Sequence, residues 1–208
     1  MEHYFTEMTE IPLHLGLVSA MIRKQMFDFY SSPPLFSWRQ IDRGTIVLAN
    51  GMQLADCGKM LDLGCGYGVI GIAAAVCFPD LKVTMTDATE RAVYLAEMNV
   101  KKYELTNRVE VKKGYLYEPV EVSGAEQHGV LMKKFDAIIS NPPYAAGKEV
   151  VKTIIERAPS HLNSGGTLQI VGRHTKGGRM YKEIMLGVFK EVEETGKSGG
   201  FRVYIGRN

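Results

Sequence analysis

The sequence predicts an α/β fold: a doubly wound, mostly parallel sheet of seven strands, with an antiparallel last strand and a small N-terminal hairpin and cap. Three observations carry this prediction. From residue 59 onward, apolar runs of strand length alternate with segments of helical periodicity, and strands joined by helix-length crossovers lie parallel with helices on both faces. Only residues 194–200 separate the last two apolar runs, too few for a helical crossover, so those strands pair antiparallel. Residues 1–50 do not follow the alternation.

The elements follow in order. Residues 17–23 and 25–30 form a candidate hairpin, and Ser32-Pro33-Pro34 a turn or extended stretch. Asp42-Arg43-Gly44-Thr45 precedes a short helix at 46–49. Residues 1–50 are therefore expected to be a hairpin and cap packed on the core, and residues 51–208 the main domain. There, 59–64 reads as a buried strand, followed by a glycine-rich turn and an apolar helix over 69–78. A β-branched strand spans 81–86. Thr89 is an N-cap for a helix reaching about 103, with Ala92, Leu95 and Ala96 on one face. Residues 109–113 form a third strand, and 135–140, apolar apart from Asp136, a central one. A helix over 149–161 is stopped by Asn163-Ser164-Gly165-Gly166. A strand at 167–171, a helix at 180–188 and strands near 189–193 and 201–205 complete the series.

Composition narrows the class. Of 208 residues, 45% are hydrophobic, enough for a sizeable core and unlike a disordered chain. No apolar run approaches the roughly 18 residues that span a bilayer, and the first residues, MEHYFTEMTE, are acidic where a signal peptide is basic. A cytoplasmic protein is expected, with no membrane contact. Cys57, Cys65 and Cys77 form no Cys-x-x-Cys pair, so neither a disulfide framework nor a metal site is indicated. Net charge is only +2, yet residues 171–208 hold eight Lys or Arg against four Glu. The cluster Gly172 to Arg179 could touch phosphate or be a solvated loop.

Two stretches carry chemistry. In Leu61-Asp62-Leu63-Gly64-Cys65-Gly66-Tyr67-Gly68, a strand enters a glycine turn that opens a helix. Glycines there bend the chain sharply and admit a ligand to the backbone N–H groups. Asp87 ends the next strand, about twenty residues on, where an acidic side chain accepts from ribose hydroxyls. Asp62, just ahead of the glycines, can favour the cationic methionine portion of S-adenosylmethionine, directly or through water. The loop resembles the first motif of methyltransferases more than a dehydrogenase fingerprint.

Asn141-Pro142-Pro143-Tyr144 follows the strand at 135–140, and ligands bind at such strand ends. The prolines stiffen the backbone and free carbonyls to point into the site. An exocyclic base nitrogen is a poor nucleophile because its lone pair is delocalised into the ring. The Asn141 side-chain oxygen and the Pro142 carbonyl can accept its two hydrogens and favour the pyramidal geometry of attack. Tyr144 can stack on the base.

Together these residues resemble the small-domain methyltransferase family, the class I group that includes the ribosomal small-subunit guanine-N2 methyltransferases. Phe36-Ser37 and Asp42-Arg43-Gly44-Thr45 are similar to elements that precede the core in that family, and Ala146-Gly147-Lys148 is most like its single-domain archaeal members. The resemblance implies a Rossmann-like fold and an S-adenosylmethionine site at Gly64, Cys65, Gly66, Gly68, Asp87 and Ala88. It implies Phe36 and Thr45 closing over the cofactor, and Asn141 and Pro142 at the target amine. Where many relatives carry an aspartate near the adenine, this chain has Tyr115, expected to meet the ring by its face or its hydroxyl. Tyr144 stands where rRNA guanine enzymes typically carry phenylalanine.

The expected reaction is methylation of a base in structured RNA, rRNA or tRNA, at the guanine N2 amine. Alternatives are adenine N6, guanine N7 or a glutamine amide in a translation factor. A module that binds cofactor without catalysis is opposed by the intact Asn141. Monomer and homodimer both stay open.

Overall fold

The computed structural model describes residues 12–123, 130–143 and 147–208. The first two strands described, β1 (Gly16–Ile22) and β2 (Gln25–Ser31), form a hairpin. Its two-residue turn, Arg23-Lys24, takes positive φ at both positions, 49° and 66°, the geometry that suits a tight hairpin. No glycine supplies it. Instead α1 (Arg43–Gly51) holds the turn from outside: Asn50 Oδ1 accepts from the Arg23 N–H at 2.8 Å, and the Arg23 guanidinium donates to the Ala49 and Met52 carbonyls.

The main sheet uses β3 (Cys57–Leu63), β4 (Asp80–Asp87), β5 (Val109–Lys113), β8 (Phe135–Ser140), β9 (Leu162–Arg173), β10 (Glu191–Ser198) and β11 (Phe201–Arg207). Their order is β10-β11-β9-β8-β3-β4-β5. Pairs from β9 to β5 are parallel, and β11 runs antiparallel to both neighbours. This is the predicted mostly parallel sheet with a reversed last strand. Crossovers run through α2 (Val69–Cys77), α3 (Glu90–Lys102), α4 (Lys148–Arg157) and α5 (Arg179–Leu186). From β3 the chain winds one way through β4 to β5; from β8 it winds the other way. The switch point lies between the two central strands, where open α/β sheets bind ligands.

Alternation along the strands divides the core. Met60 of β3 faces the layer of Ile72, Val83 and Leu95, whereas Leu61 and Leu63 face Ile154, Leu168 and Tyr204. In α3, Ala92, Leu95 and Ala96 are buried as expected, and Thr89 caps it by accepting from the Ala92 N–H at 3.4 Å.

Two expectations need correction, and one element was not foreseen. Residues 163–166 do not stop a helix: α4 ends at Arg157, a 3-10 turn spans Ala158–His161, and β9 begins at Leu162. A Cβ at Gly166 would crowd three carbonyl oxygens at 2.9–3.2 Å, so only glycine lets the strand pass there. The strand expected from 189 begins at Glu191, because Phe189 instead packs on Gly206, 2.5 Å from where a Cβ would stand. A small hairpin, β6 (Glu121–Ser123) with β7 (Val130–Met132), precedes β8; strands of three residues leave no readable period.

The N-terminal hairpin is bound to the main sheet's helices by a buried amide. Asn99 of α3 donates to the carbonyls of Tyr30 and Tyr67, both at 2.9 Å, and accepts from the Tyr30 N–H at 2.7 Å. Phe27 and Phe29 pack beside it on Tyr103. Asn99→Ala strands three backbone groups and should lower unfolding stability by about 2–4 kcal/mol. Urea denaturation checks this, and a loss below ~0.5 kcal/mol would remove Asn99 from that role.

Candidate active site

At the switch point a cleft of about 860 Å³ opens over the carboxyl ends of β3, β4 and β8. The glycine turn forms its floor. Gly64, Gly66 and Gly68 have φ of 75°, 57° and 96°, values that L side chains resist. The Gly64 and Cys65 N–H groups both donate to the Thr86 carbonyl at 2.9 Å, tying the loop to the end of β4. Asp87 fixes the rest: Oδ2 accepts from the Gly66 N–H at 2.9 Å, and Oδ1 from the Thr89 N–H and hydroxyl at 3.0 and 3.1 Å.

Added Cβ atoms at Gly64 and Gly66 would meet nothing within 4 Å. The bare backbone there faces open cleft, the kind of cradle an adenosyl ligand's methionine portion fills. Asp87, Ala88, Tyr115, Phe36 and Thr45 line the same cleft. Phe36 is 50% exposed, a ring available to a ligand. The expected cofactor residues thus converge, with two set further back. Gly68 packs against Ile72 and Met85, where a Cβ would lie 3.0 and 3.3 Å away. Asp62 is buried under the loop and is not in the cleft lining.

Asp62 Oδ2 accepts from the Gly71 N–H at 2.8 Å, while Oδ1 is buried without a partner. Burial pushes its carboxyl up to about 7 against the Gly71 N–H, which lowers it, and the Asp87 charge adds to the rise. An unpaired buried carboxylate oxygen behind a glycine cradle suits a cationic ligand reached through a water. Burial, with the charges of Asp87 and Asp62, pushes the Cys65 thiol well above its usual range. A thiol so held is not a nucleophile at neutral pH.

The acceptor side is built from β8. The Ser140 hydroxyl donates to the Leu63 carbonyl at 2.8 Å, bringing the ends of β8 and β3 together. Asn141 follows at the rim, then Pro142 and Pro143, all in the cleft lining. Tyr144 lies outside the described residues. Asn141 Nδ2 donates to Thr45 Oγ1 at 2.8 Å and to Asp42 Oδ2 at 3.3 Å. A carboxylate only accepts, so Asp42 fixes the amide with its NH2 inward and leaves Oδ1 for a ligand. Asp42 also caps α1 by accepting from the Thr45 N–H at 3.2 Å. Thr45, expected over the cofactor, thus contacts the catalytic candidate. Asp42 was not singled out by the sequence as a site residue; its spacing before Thr45 was the available signal. Tyr67 is a second omission: its hydroxyl donates to the Ser37 carbonyl at 3.2 Å, joining the glycine turn to the cap.

A switch-point cleft, a glycine cradle, an acidic β4 end and a reversed terminal strand define a methyltransferase whose cofactor is S-adenosylmethionine. The chain belongs to the methyltransferase small domain family, whose model matches residues 26–205. It is 32% identical over 203 residues to the uncharacterized protein YbxB of Bacillus subtilis (strain 168), covering 97% of this chain and 96% of that one. It is 33% identical over 183 residues to the ribosomal RNA small subunit methyltransferase C of Haemophilus influenzae (strain PittGG), covering 86% of this chain. The chain spans about half the length of that relative, 51%. Among solved structures, the fold resembles the Thermus thermophilus 16S rRNA N2 G1207 methyltransferase in complex with AdoMet and guanosine. The TM-score is 0.79 at 20% identity, covering 95% of this chain and 51% of that one. A methyltransferase from Pyrococcus furiosus aligns with TM-score 0.61 at 27% identity, over 78% and 79%.

The Asp62 geometry sets a pH dependence. The carboxyl is raised from the ordinary aspartate value of 3.8 to about 7 in the fold, so folding takes up a proton between those values. Stability is therefore lost as pH rises through that window. Asp62→Asn removes this loss, and its thermal midpoint should exceed wild type by more at pH 8 than at pH 5. Equal differences at both pH values would show that Asp62 does not titrate in this way.

Proposed function

We propose that this protein methylates the exocyclic N2 amine of a guanine in structured RNA, acting in the cytoplasm. The observation that carries the reading is the Asn141 amide, whose NH2 is held by Asp42 and Thr45 so that its oxygen is left to the cleft. The ribosomal RNA methyltransferases among the relatives support an RNA substrate, and the guanosine complex of the structural neighbour supports the base.

When bound, S-adenosylmethionine supplies an electrophilic methyl group carried on a sulfonium. Gly64 and Gly66 would receive its methionine portion, Asp87 its ribose hydroxyls, and Tyr115 with Ala88 its adenine side. Asn141 Oδ1 and the Pro142 carbonyl then accept the two amine hydrogens, turning the nitrogen lone pair toward the donor. Guanine N7 carries no hydrogen, so this arrangement offers it nothing. Holding the nitrogen about 3–3.5 Å from the methyl group supplies much of the rate, and no strong base is needed. Tyr144 is proposed as the stacking partner of the base.

Incubation with labelled methyl donor and total RNA, with total protein in parallel, followed by mass spectrometry of the product, tests the reading. N2-methylguanosine is expected; label confined to glutamine would overturn it. Two variants test the site. Asp87→Ala should weaken S-adenosylmethionine binding by about 1.5–3 kcal/mol by calorimetry, and unchanged affinity would take Asp87 out of the site. Asn141→Ala should lower kcat by roughly 10²–10³ with cofactor affinity nearly unchanged. Near-normal single-turnover rates in that variant would move the acceptor site elsewhere in the cleft.

A further inference from the structure

The acceptor side of the cleft continues into a rim of cations. Arg43 opens α1 between Asp42 and Thr45, the two residues that hold Asn141. Its guanidinium turns away from the cleft onto the β10–β11 turn, where Nη2 donates to Ser198 Oγ at 3.4 Å and Arg43 leaves no room for a Cβ at Gly199. Arg173 ends β9 three residues beyond Ile170, the register partner of Ser140, and so stands on the same edge of the sheet as Asn141. It pairs with Phe201, and its guanidinium lies 5.9 Å from that ring's centre. Phe201 in turn abuts Gly44 of α1, 2.9 Å from where a Cβ would stand. Arg43 and Arg173 are therefore neighbours across one small patch.

Lys176 and Arg179 extend it through the irregular turn His174–Gly178 into α5. All four cations are exposed, and among the described residues none of them forms an ion pair with a carboxylate. Behind them, Glu194 alone is shared by Arg202, Lys182 and Lys197. The surplus reaches His174, whose Nε2 accepts from Arg179 Nε at 3.2 Å. Desolvation, then the charges of Arg202 and Arg179, hold that ring below the usual histidine range. The opposite edge differs, since Arg207 there is paired with Glu193. Gly200, at φ 83°, has only the Arg173 side chain, at 3.8–4.0 Å, near where a Cβ would stand, so a strand can lie close there.

We propose that Arg43, Arg173, Lys176 and Arg179 hold the phosphates of the RNA strand next to the target nucleotide, which runs from Asn141 outward over the β10–β11 turn. This inference rests on the RNA reading above. Phosphates are the ligand that an uncompensated row of guanidinium and ammonium groups beside a base-sized cleft recognises, and such contacts position a strand without reading its sequence.

The test uses purified small-subunit ribosomal RNA and the full chain, comparing wild type with R173Q/K176Q/R179Q. Binding is measured over a KCl series, and cofactor binding by calorimetry. The variant should lose affinity for RNA roughly tenfold, and the slope of log K against log salt should shrink by about 2. S-adenosylmethionine affinity should stay within about twofold, as expected of residues outside the cofactor cleft. Unchanged RNA affinity and slope in a folded variant overturn the rim and leave the RNA reading standing. A wild-type protein that binds no RNA and labels only protein overturns both. Should the triple variant not fold, Lys176→Glu in its exposed turn decides: a raised KM for RNA with unchanged kcat supports the rim, and an unchanged KM overturns it.

Discussion

The molecule is organised by the way its two central strands end. β3 and β8 run side by side, but their chains leave in opposite directions, and the ladder between them ends at Asp62 and Ile139, one residue short of Leu63 and Ser140. The Ser140 hydroxyl, donating to the Leu63 carbonyl, closes that gap. It sets the distance between the residue before the glycine turn and the residue before Asn141. Donor cradle and acceptor rim are thereby fixed relative to each other by one short, buried side-chain bond. Such a bond gains from burial because neither group has water as an alternative partner.

Much of this architecture was legible in the sequence because it is written in local patterns. The runs at 109–113 and 135–140, the Thr89 cap and the hairpin at 17–30 all appear where periodicity places them. The glycine turn and Asn141 were legible because their chemistry needs particular residues in consecutive order. What escaped depends on contacts between distant positions. Asp42 and Asn141 stand 99 residues apart, and Asn99 and Tyr30 stand 69 apart; neither partner carries a mark of the other. The Arg23-Lys24 turn escaped for the same reason, since helix α1, not a glycine, holds its unusual dihedrals. Thr45, which the family resemblance places over the cofactor, lines the cleft, and its hydroxyl also accepts from the Asn141 amide.

The cap therefore does more than cover the cleft. Through Asp42 and Thr45 it sets which end of the Asn141 amide faces the cleft, and through Ser37 it receives the Tyr67 hydroxyl from the glycine turn. Asn99 ties the Tyr30 backbone to the Tyr67 carbonyl of that same turn. A displacement of the hairpin is felt at both halves of the site, because the cap contributes hydrogen bonds to each.

The outer strands of the main sheet have a consequence of a different kind. β5 reads Val-Glu-Val-Lys-Lys, and β10 reads Glu-Val-Glu-Glu-Thr-Gly-Lys-Ser. Each is an edge with unpaired backbone groups, the template on which chains add to one another and aggregate. Charged side chains on both edges oppose that addition, and Gly196 at φ 55° interrupts the β10–β11 register. Among the described residues no strand pairs with the outer side of β5 or β10, so these charges and this irregularity are what oppose the sheet's growth.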